Sequence, residues 1–470
     1  MGEFPVPALA ERARRCADAL READAVLVVS HIDADGLTSA AVASAALARA
    51  GVDHEVAFEK QLDEDRVAAV ADADRETVLF TDFGSGQLDA IAARAERGDF
   101  RPVVADHHQP ADADVPCHLN PLLAGIDGAS DLSGAGATYL LARALGGASN
   151  RDLAALAVVG AVGDRQRGRD GLTGANAAIA AEGVEAGVLA EERDLALYGT
   201  QTRSLPKLLA YASDAALPGI AGNDDGARSF LADLDVACRD GDGEWRTWAD
   251  LTHEERRTVV SALVRHAVSR GVPAGRIDEL VATGYTLPEE EPGTELRDAG
   301  EFATLLNATA RYERAGVGLA VCLGDRDEAL AAARSLLARH RRNISAGLEW
   351  VREHGVTRED HVQWFHAGDA VRETIVGIVA GMAMGTDGAD GDRPIVAFAD
   401  TDEEEVKVST RGTTALVRRG LDLSTAMTEA ATAVGGEGGG HDVAAGASIP
   451  PGTEQDFVDA VDRIVGEQLA

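Results

Sequence analysis

The sequence predicts an α/β protein: an N-terminal, doubly wound, mostly parallel sheet, a helical connecting region, and a second, smaller α/β domain. Three observations carry that expectation. Short apolar runs alternate with helix-like segments through the first third of the chain. From residue 172 the alternation gives way to a stretch rich in Ala, Leu and acids. Strand and helix signals resume from residue 298 and continue to the end. The expected division is therefore 1–171, 172–297 and 298–470. At 470 residues and 45% hydrophobic content, the chain is long enough for several domains and apolar enough to give each a core.

In the first segment, Ala25–Ser30 (AVLVVS), Thr77–Thr81 (TVLFT) and Pro102–Ala105 (PVVA) are short apolar runs, and His54–Phe58 is a further candidate strand. The Ala-rich stretch from Thr38 to Ala50 is helical in character. Ser133 reads as the N-cap of a helix reaching Ala144, and Asp152 to Val162 as another. The segment from Leu172 to Arg297 has turn signals at Pro218–Gly226 and Glu289–Gly293; it is expected to be mostly helical and offers no catalytic constellation. In the last segment Val317–Leu323, Pro394–Ala399 and Glu405–Thr410 are expected strands. Glu328–Leu348, Leu423–Val434 and Glu454–Leu469 are expected helices.

Charge is the unusual feature of the composition. The formal net charge is −35 at pH 7, and only three basic residues are lysines: Lys60, Lys207 and Lys407. An acid-rich, lysine-poor surface repels itself in dilute buffer, but above about 1 M salt the Debye length falls to roughly 3 Å. The composition therefore points to a protein of an extreme halophile. No export signal is seen, and the longest apolar run, Ile375 to Met384, is too short to span a bilayer; a cytoplasmic location is expected, with no membrane partner. Cys16, Cys117, Cys238 and Cys322 are scattered without a CxxC pair and read as buried thiols. An acidic chain ordinarily argues against nucleic acid, whose affinity rests on cations at phosphates. In high salt that long-range attraction is screened for every protein, so metals, arginine forks and stacking must carry binding. The acidic balance excludes nothing here.

The chemistry gathers where the apolar runs end. After AVLVVS comes His31-Ile-Asp33-Ala-Asp35-Gly36, after TVLFT comes Asp82-Phe-Gly84, and after PVVA comes Asp106-His107-His108. Gly163-Asp164-Arg165 follows the helical stretch ending at Val162. Functional residues of open parallel sheets collect at the carboxyl ends of strands. So many carboxylates at close range repel one another unless cations sit between them. Asp and His donors without cysteine suit Mn²⁺, with Mg²⁺ or Co²⁺ as alternatives and zinc less favoured. Paired divalent ions of this kind serve in-line displacement at phosphorus.

HIDADG, TDFG, DHH and VGDR, in that order, resemble the four motifs of the DHH phosphoesterases. The resemblance implies that Asp82 bridges two metal ions. His31 and Asp33 would complete one site, and Asp35, His107 and Asp164 the other. It further implies that His108 faces the scissile phosphate, stabilising or protonating the leaving oxygen, and that Asp106 orients the neighbouring histidines. The first motif is spaced His-x-Asp-x-Asp, where the family often has His-x-x-x-Asp-x-Asp.

The C-terminal segment carries a second resemblance. Gly439-Gly440-His441 opens a stretch, through Ala444 and Gly446, similar to the glycine-rich signature of the DHH-associated C-terminal domain. Lys407, Ser409 and Arg411 alternate along an expected strand and so share one face, suited to a phosphate or base next to the cleaved bond. Glu301–Arg311 (EFATLLNATAR) resembles the segment opening the C-terminal domain of archaeal RecJ-like nucleases, which include the GINS-associated nuclease. Within it Asn307 and Arg311 lie four apart, on one helical face, and would reach a nucleotide phosphate. The resemblance implies a catalytic domain over 1–171 and a substrate-binding domain over 298–470. It also implies a RecJ-like exonuclease acting on single-stranded DNA or RNA, with a GINS-like replisome partner. Relatives with these motifs act instead on short oligoribonucleotides, cyclic dinucleotides or 3′,5′-bisphosphorylated nucleosides, and some are non-catalytic replication scaffolds; both stand as alternatives. Cleavage polarity, sugar preference and oligomeric state leave no mark in the sequence.

Overall fold

Five strands build the first sheet: β1 (Ala25–His31), β2 (Asp53–Glu59), β3 (Thr77–Thr81), β4 (Arg101–Ala105) and β5 (Cys117–Leu119). All pair in parallel, in the order β2-β1-β3-β4-β5. The computed structural model in which they are seen describes residues 4–73, 75–212, 215–384, 389–401 and 405–469. It divides into two compact units, Met1–Arg334 and Ser335–Ala470.

The continuous apolar character of β1, β3 and β4 follows from burial on both faces. Val26 and Val28 enter the layer formed by α1 (Ala10–Arg21) and α2 (Ala34–Ala50). Leu27 and Val29 enter the opposite layer with α3 (Glu64–Asp72) and α4 (Leu88–Arg97). Three further helices, α5 (Gly134–Gly146), α6 (Ala154–Gly163) and α7 (Gly174–Glu185), join the first layer. Because β1 pairs with both β2 and β3, the winding direction reverses there, and a crevice opens at the carboxyl ends of these strands.

The tight return from β1 to α2 has a local cause. Asp33 caps α2, its carboxylate accepting from the Gly36 N–H at 3.0 Å. A Cβ on Gly36 would stand 2.1 Å from the His31 carbonyl oxygen, so only glycine permits this approach. Ser133 caps α5 as its sequence predicts, accepting from the Gly136 N–H at 3.1 Å. β5, three residues long, gave no sequence signal.

The middle segment is mostly helical, as expected, but a ribbon brackets it. β6 (Ala190–Leu195) and β7 (Val281–Thr286) pair antiparallel around α8 (Leu205–Ala210), α9 (Asp224–Ala232), α10 (His253–Ser269) and α11 (Ala274–Asp278). Trp248 is buried at the centre of their small core.

Two expectations need correction. α12 (Ala299–Arg311) and α13 (Ala315–Cys322) pack against α2 and α6 and belong to the first unit. The division expected before residue 298 instead falls inside α14 (Glu328–His354). Val317–Leu323, expected as a strand, lies largely in α13. Its buried residues Ala315, Gly318 and Val321 recur every third position, a helical face that a short apolar run does not reveal.

The second unit holds a six-stranded sheet in the order β12-β13-β11-β10-β9-β8. Its members are β8 (Thr357–Arg358), β9 (Gln363–His366), β10 (Ile395–Asp400), β11 (Val406–Arg411), β12 (Glu437–Gly440) and β13 (Ala444–Ile449). α15 (Glu373–Ala383) covers one face; α17 (Leu423–Ala433) and α18 (Glu454–Leu469) cover the other, with the short α16 (Thr414–Val417) between β11 and α17. No helix among the described residues is long and apolar enough to cross a membrane.

Candidate metal centre

The carboxyl ends of β1, β3 and β4 bring the first three motifs together, and the end of α6 adds the fourth. One ligand atom from each of His31, Asp33 and Asp82 lies within 4.8 Å of the other two. Those of Asp35, His107 and Asp164 form a second such group, and Asp82 also stands beside His107 and His108. Asp82 sits between the groups: its Oδ2 is 3.5 Å from His31 Nδ1, and its Oδ1 is 3.4 Å from His107 Nε2. It holds a left-handed backbone, φ 61°, uncommon for a residue with a Cβ, and its N–H donates to the Ala105 carbonyl at 3.1 Å. α5 presses on it so closely that a Cβ at Gly134 would stand 2.3 Å from Asp82 Oδ1.

Each side chain is aimed by a second contact. Asp35, fully buried, accepts from the N–H groups of Gly134 at 2.7 Å and Ala135 at 3.0 Å, the positive end of α5. His107 Nδ1 donates to the Gly128 carbonyl at 2.7 Å, which turns Nε2 toward Asp82, Asp164 and Asp35, at 3.4, 3.8 and 3.9 Å. Gln166 donates to the same carbonyl at 2.9 Å and to Asp164 at 2.8 Å, and is itself held by Asn176. Asp106 accepts from the Ser85 N–H at 2.9 Å and from His108 Nδ1 at 2.8 Å. Ser85 in turn contacts His118 and Asn120, and the Asn120 amide donates to the His108 carbonyl at 2.9 Å.

Electrostatics mark the cluster as short of positive charge. Burial, with Asp82 and Asp164 nearby, pushes the Asp35 carboxyl well above the usual range. Burial and the Asp82 charge raise Asp164 to about 6. Burial opposes protonation of His31, but hydrogen bonds to Asp33 and Asp82 overcome it and raise its pKa to about 11. His107 is raised likewise, by Asp82 above all, against burial. Protons thus do the neutralising that a cation would do better. The donor set is oxygen and imidazole nitrogen without sulfur, and the 3.4–3.9 Å separations around His107 fit atoms sharing one ion. The residues suit hard divalent ions.

The expected substrate residues fall in two places. Asn307 and Arg311 lie on α12, in the first unit and beside the metal centre. Asn307 Oδ1 accepts from the Ala34 N–H at 3.0 Å, which ties the acceptor end of its amide to the start of α2. Burial lowers the Arg311 pKa, and the Asp33 charge opposes that effect. In the second unit Lys407, Ser409 and Arg411 do share one face, alternating with buried Val406, Val408 and Thr410. Arg411 lies against α15 at Gly377. Ser409 stands opposite Gly446, which stands opposite Gly439, in one row across three strands. Gly439 and Gly440 are therefore strand residues of β12 rather than a loop, and His441 begins the hairpin to β13. Sequence reasoning missed Gln166, Asn176, Ser85, His118 and Asn120. Their roles depend on contacts between distant segments, and no local pattern announces them.

The fold and this site define a phosphoesterase architecture of DHH type, and comparison with known proteins bears that out. Residues 25–161 match the DHH family N-terminal domain, 197–281 the DHH-CID domain and 361–467 the DHHA1 domain. The chain thus carries the DHH, DHH-CID and DHHA1 domains, in that order. It is 28% identical over 452 residues to an uncharacterized protein of Methanocaldococcus jannaschii, covering 94% of each chain. Its fold is similar to that of RecJ from Thermus thermophilus, solved in complex with Mn²⁺, with TM-score 0.62 and 19% identity over 99% of this chain. This chain spans 56% of the Thermus protein. CDC45 from Entamoeba histolytica is similar at TM-score 0.67 and 10% identity, over 97% of this chain and 99% of that one.

Proposed function

We propose that this chain is a metal-dependent RecJ-like exonuclease, hydrolysing single-stranded DNA or RNA from an end. The observation that carries the reading is the pairing of His31 and Asp33 with Asp35, His107 and Asp164 about a shared Asp82. The similar Thermus RecJ is solved with Mn²⁺ and with Mg²⁺, which supports a hard divalent ion, and the mixed carboxylate and imidazole donors make manganese our choice. Two divalent ions held there would supply an activated water and neutralise charge on the phosphate oxygens. The chain's own residues do the rest. Asp82 separates the two groups of ligands and is held by the Ala105 carbonyl and by α5. The Gly128 carbonyl keeps a proton on His107 Nδ1 and leaves Nε2 as donor to a metal. His108, kept protonated by Asp106, donates a hydrogen bond or a proton to the leaving oxygen. Lys407, Ser409, Arg411, Gly439, Gly440 and His441, all in the second unit, bind the nucleic-acid strand. Arg311, beside Asp33, adds a cation for its phosphates.

A length series tests the reading against its small-molecule alternatives. Oligonucleotides from dinucleotides to strands of several tens of residues are supplied singly, with Mn²⁺ and the high salt the charge demands. The proposal expects turnover of the long strands, with mononucleotides or short products accumulating. Turnover confined to dinucleotides, cyclic dinucleotides or bisphosphorylated nucleosides would reassign the substrate.

A further inference from the structure

Two of the four free cysteines, far apart in sequence, meet in the first unit. Cys16, on α1, has no exposed surface, and Cys117, the first residue of β5, is 7% exposed. Both belong to the core layer on the α1 face of the sheet. Hydrogen bonds to either side fix this contact. Arg15 donates to the Pro116 carbonyl at 3.4 Å, the Cys117 thiol donates to the Arg15 carbonyl at 3.9 Å, and Arg12 donates to the His118 carbonyl at 3.4 Å. Together they lay one turn of α1 along β5, and the two thiols interact directly with each other.

The two cysteines differ in exposure. Cys117 lines a cavity of about 540 Å³ with Phe100, Arg101, Pro102 and Pro116, and Cys16 does not line it. This cavity lies where β4 and β5 begin, at the opposite end of the sheet from the metal centre. A small solute thus reaches Cys117 first.

We propose that Cys117 and Cys16 form an oxidisable dithiol, in which a small peroxide entering the cavity oxidises Cys117 and Cys16 then closes a disulfide between β5 and α1. In the first step the Cys117 thiolate attacks one peroxide oxygen. The O–O bond breaks, and the departing hydroxide or alkoxide takes a proton from solvent, leaving a sulfenic acid. In the second, the Cys16 sulfur attacks the Cys117 sulfur, the S–O bond breaks, and hydroxide leaves with the Cys16 proton as water. Two thiols lose two electrons and the peroxide gains them. The hydrogen bond with Cys16, aided by Arg15 and Arg101 and opposed by burial, lowers the pKa of the Cys117 thiol. That bond and burial push Cys16 up. The accessible thiol is the nucleophilic one, the order the chemistry needs.

In reducing surroundings such a bond forms transiently. Its position gives it consequence, because β5 leads directly to His118 and Asn120, which support Ser85 and His108. The inference does not depend on the hydrolase reading.

The test treats the folded, full-length protein with hydrogen peroxide in high salt and maps its peptides without reduction. The expected product joins the peptide of Cys16 to that of Cys117, with loss of two of the four titratable thiols, restored by dithiothreitol. Cys16→Ser should stop at a Cys117 sulfenic acid that dimedone traps, and Cys117→Ser should leave Cys16 reduced. Cys16→Ala serves where serine is poorly accommodated, and the wild-type map decides the matter alone. A Cys117 that stays reduced in the folded protein, oxidises without joining Cys16, or joins Cys238 or Cys322 would overturn the proposal.

Discussion

His108 Nδ1 stands 2.8 Å from Asp106 Oδ1, an exposed imidazole held by a fully buried carboxylate. The hydrogen bond to Asp106, against the effect of burial, raises the His108 pKa; the histidine, through its hydrogen bond and charge, holds Asp106 down to about 2 although desolvation pushes the other way. The ring is fixed through Nδ1, and in the proposed function Nε2 meets the leaving oxygen.

That asymmetry predicts a pH effect. An acid catalyst works while protonated, so activity is present below its pKa and lost as pH rises through it. Asp106→Asn removes the charge that raises the His108 pKa. The alkaline limb of the kcat/KM profile should therefore move to lower pH in this variant. A limb that stays in place assigns it to another group.

Gln166 joins Asp164 to the Gly128 carbonyl that orients His107. Gln166→Ala should weaken metal binding or activity by roughly 10–100-fold, the usual effect of losing a partner that orients ligands. Isothermal titration with Mn²⁺ on the two proteins, with a thermal melt as control, measures it. Equal affinities and rates would remove Gln166 from the site.

Arg411 stands on the half-buried row of β11, its guanidinium over Gly377 and its stem over Gly381 of α15, and it donates to the Thr410 carbonyl at 2.8 Å. Arg411→Ala should raise KM by about 10-fold or more, the worth of one charge-assisted hydrogen bond, while kcat changes little. Steady-state kinetics on a fixed single strand decide it; an unchanged KM excludes the contact.

Net charge sets the conditions for all of these. With 79 acidic against 44 basic residues, self-repulsion is strong in dilute buffer and screened in concentrated salt. The melting temperature should climb steadily with KCl, and activity should vanish on its removal. A melting temperature independent of salt would contradict the halophilic reading.

The metal-centre residues were legible because each follows an apolar run, and a parallel sheet carries every such position to one edge. His31 to Asp35, Asp82 and Asp106 to His108 needed only that rule, while Asp164 follows a helix and rested on the family resemblance. The placement of Asn307 and Arg311 was not legible. Their helix resembles the opening of a C-terminal domain, but its apolar face is spent on α2 and α6, a choice fixed by packing across 273 residues of separation between Ala34 and Asn307. β6 escaped because only Leu195 of its six residues is buried, leaving no alternation to read. α13 was mistaken for a strand because a short apolar run suits either structure.

A two-metal exonuclease is tested most directly on end-labelled single strands. Single-stranded DNA and RNA, labelled at one end, are incubated in high KCl with Mn²⁺, with EDTA, and with Asp82→Asn in place of wild type. A two-metal exonuclease gives manganese-dependent laddering from one terminus, abolished by EDTA and by the substitution although the variant stays folded. Cleavage that persists in EDTA or in Asp82→Asn, or no cleavage of either strand by folded, manganese-loaded wild type, would contradict it.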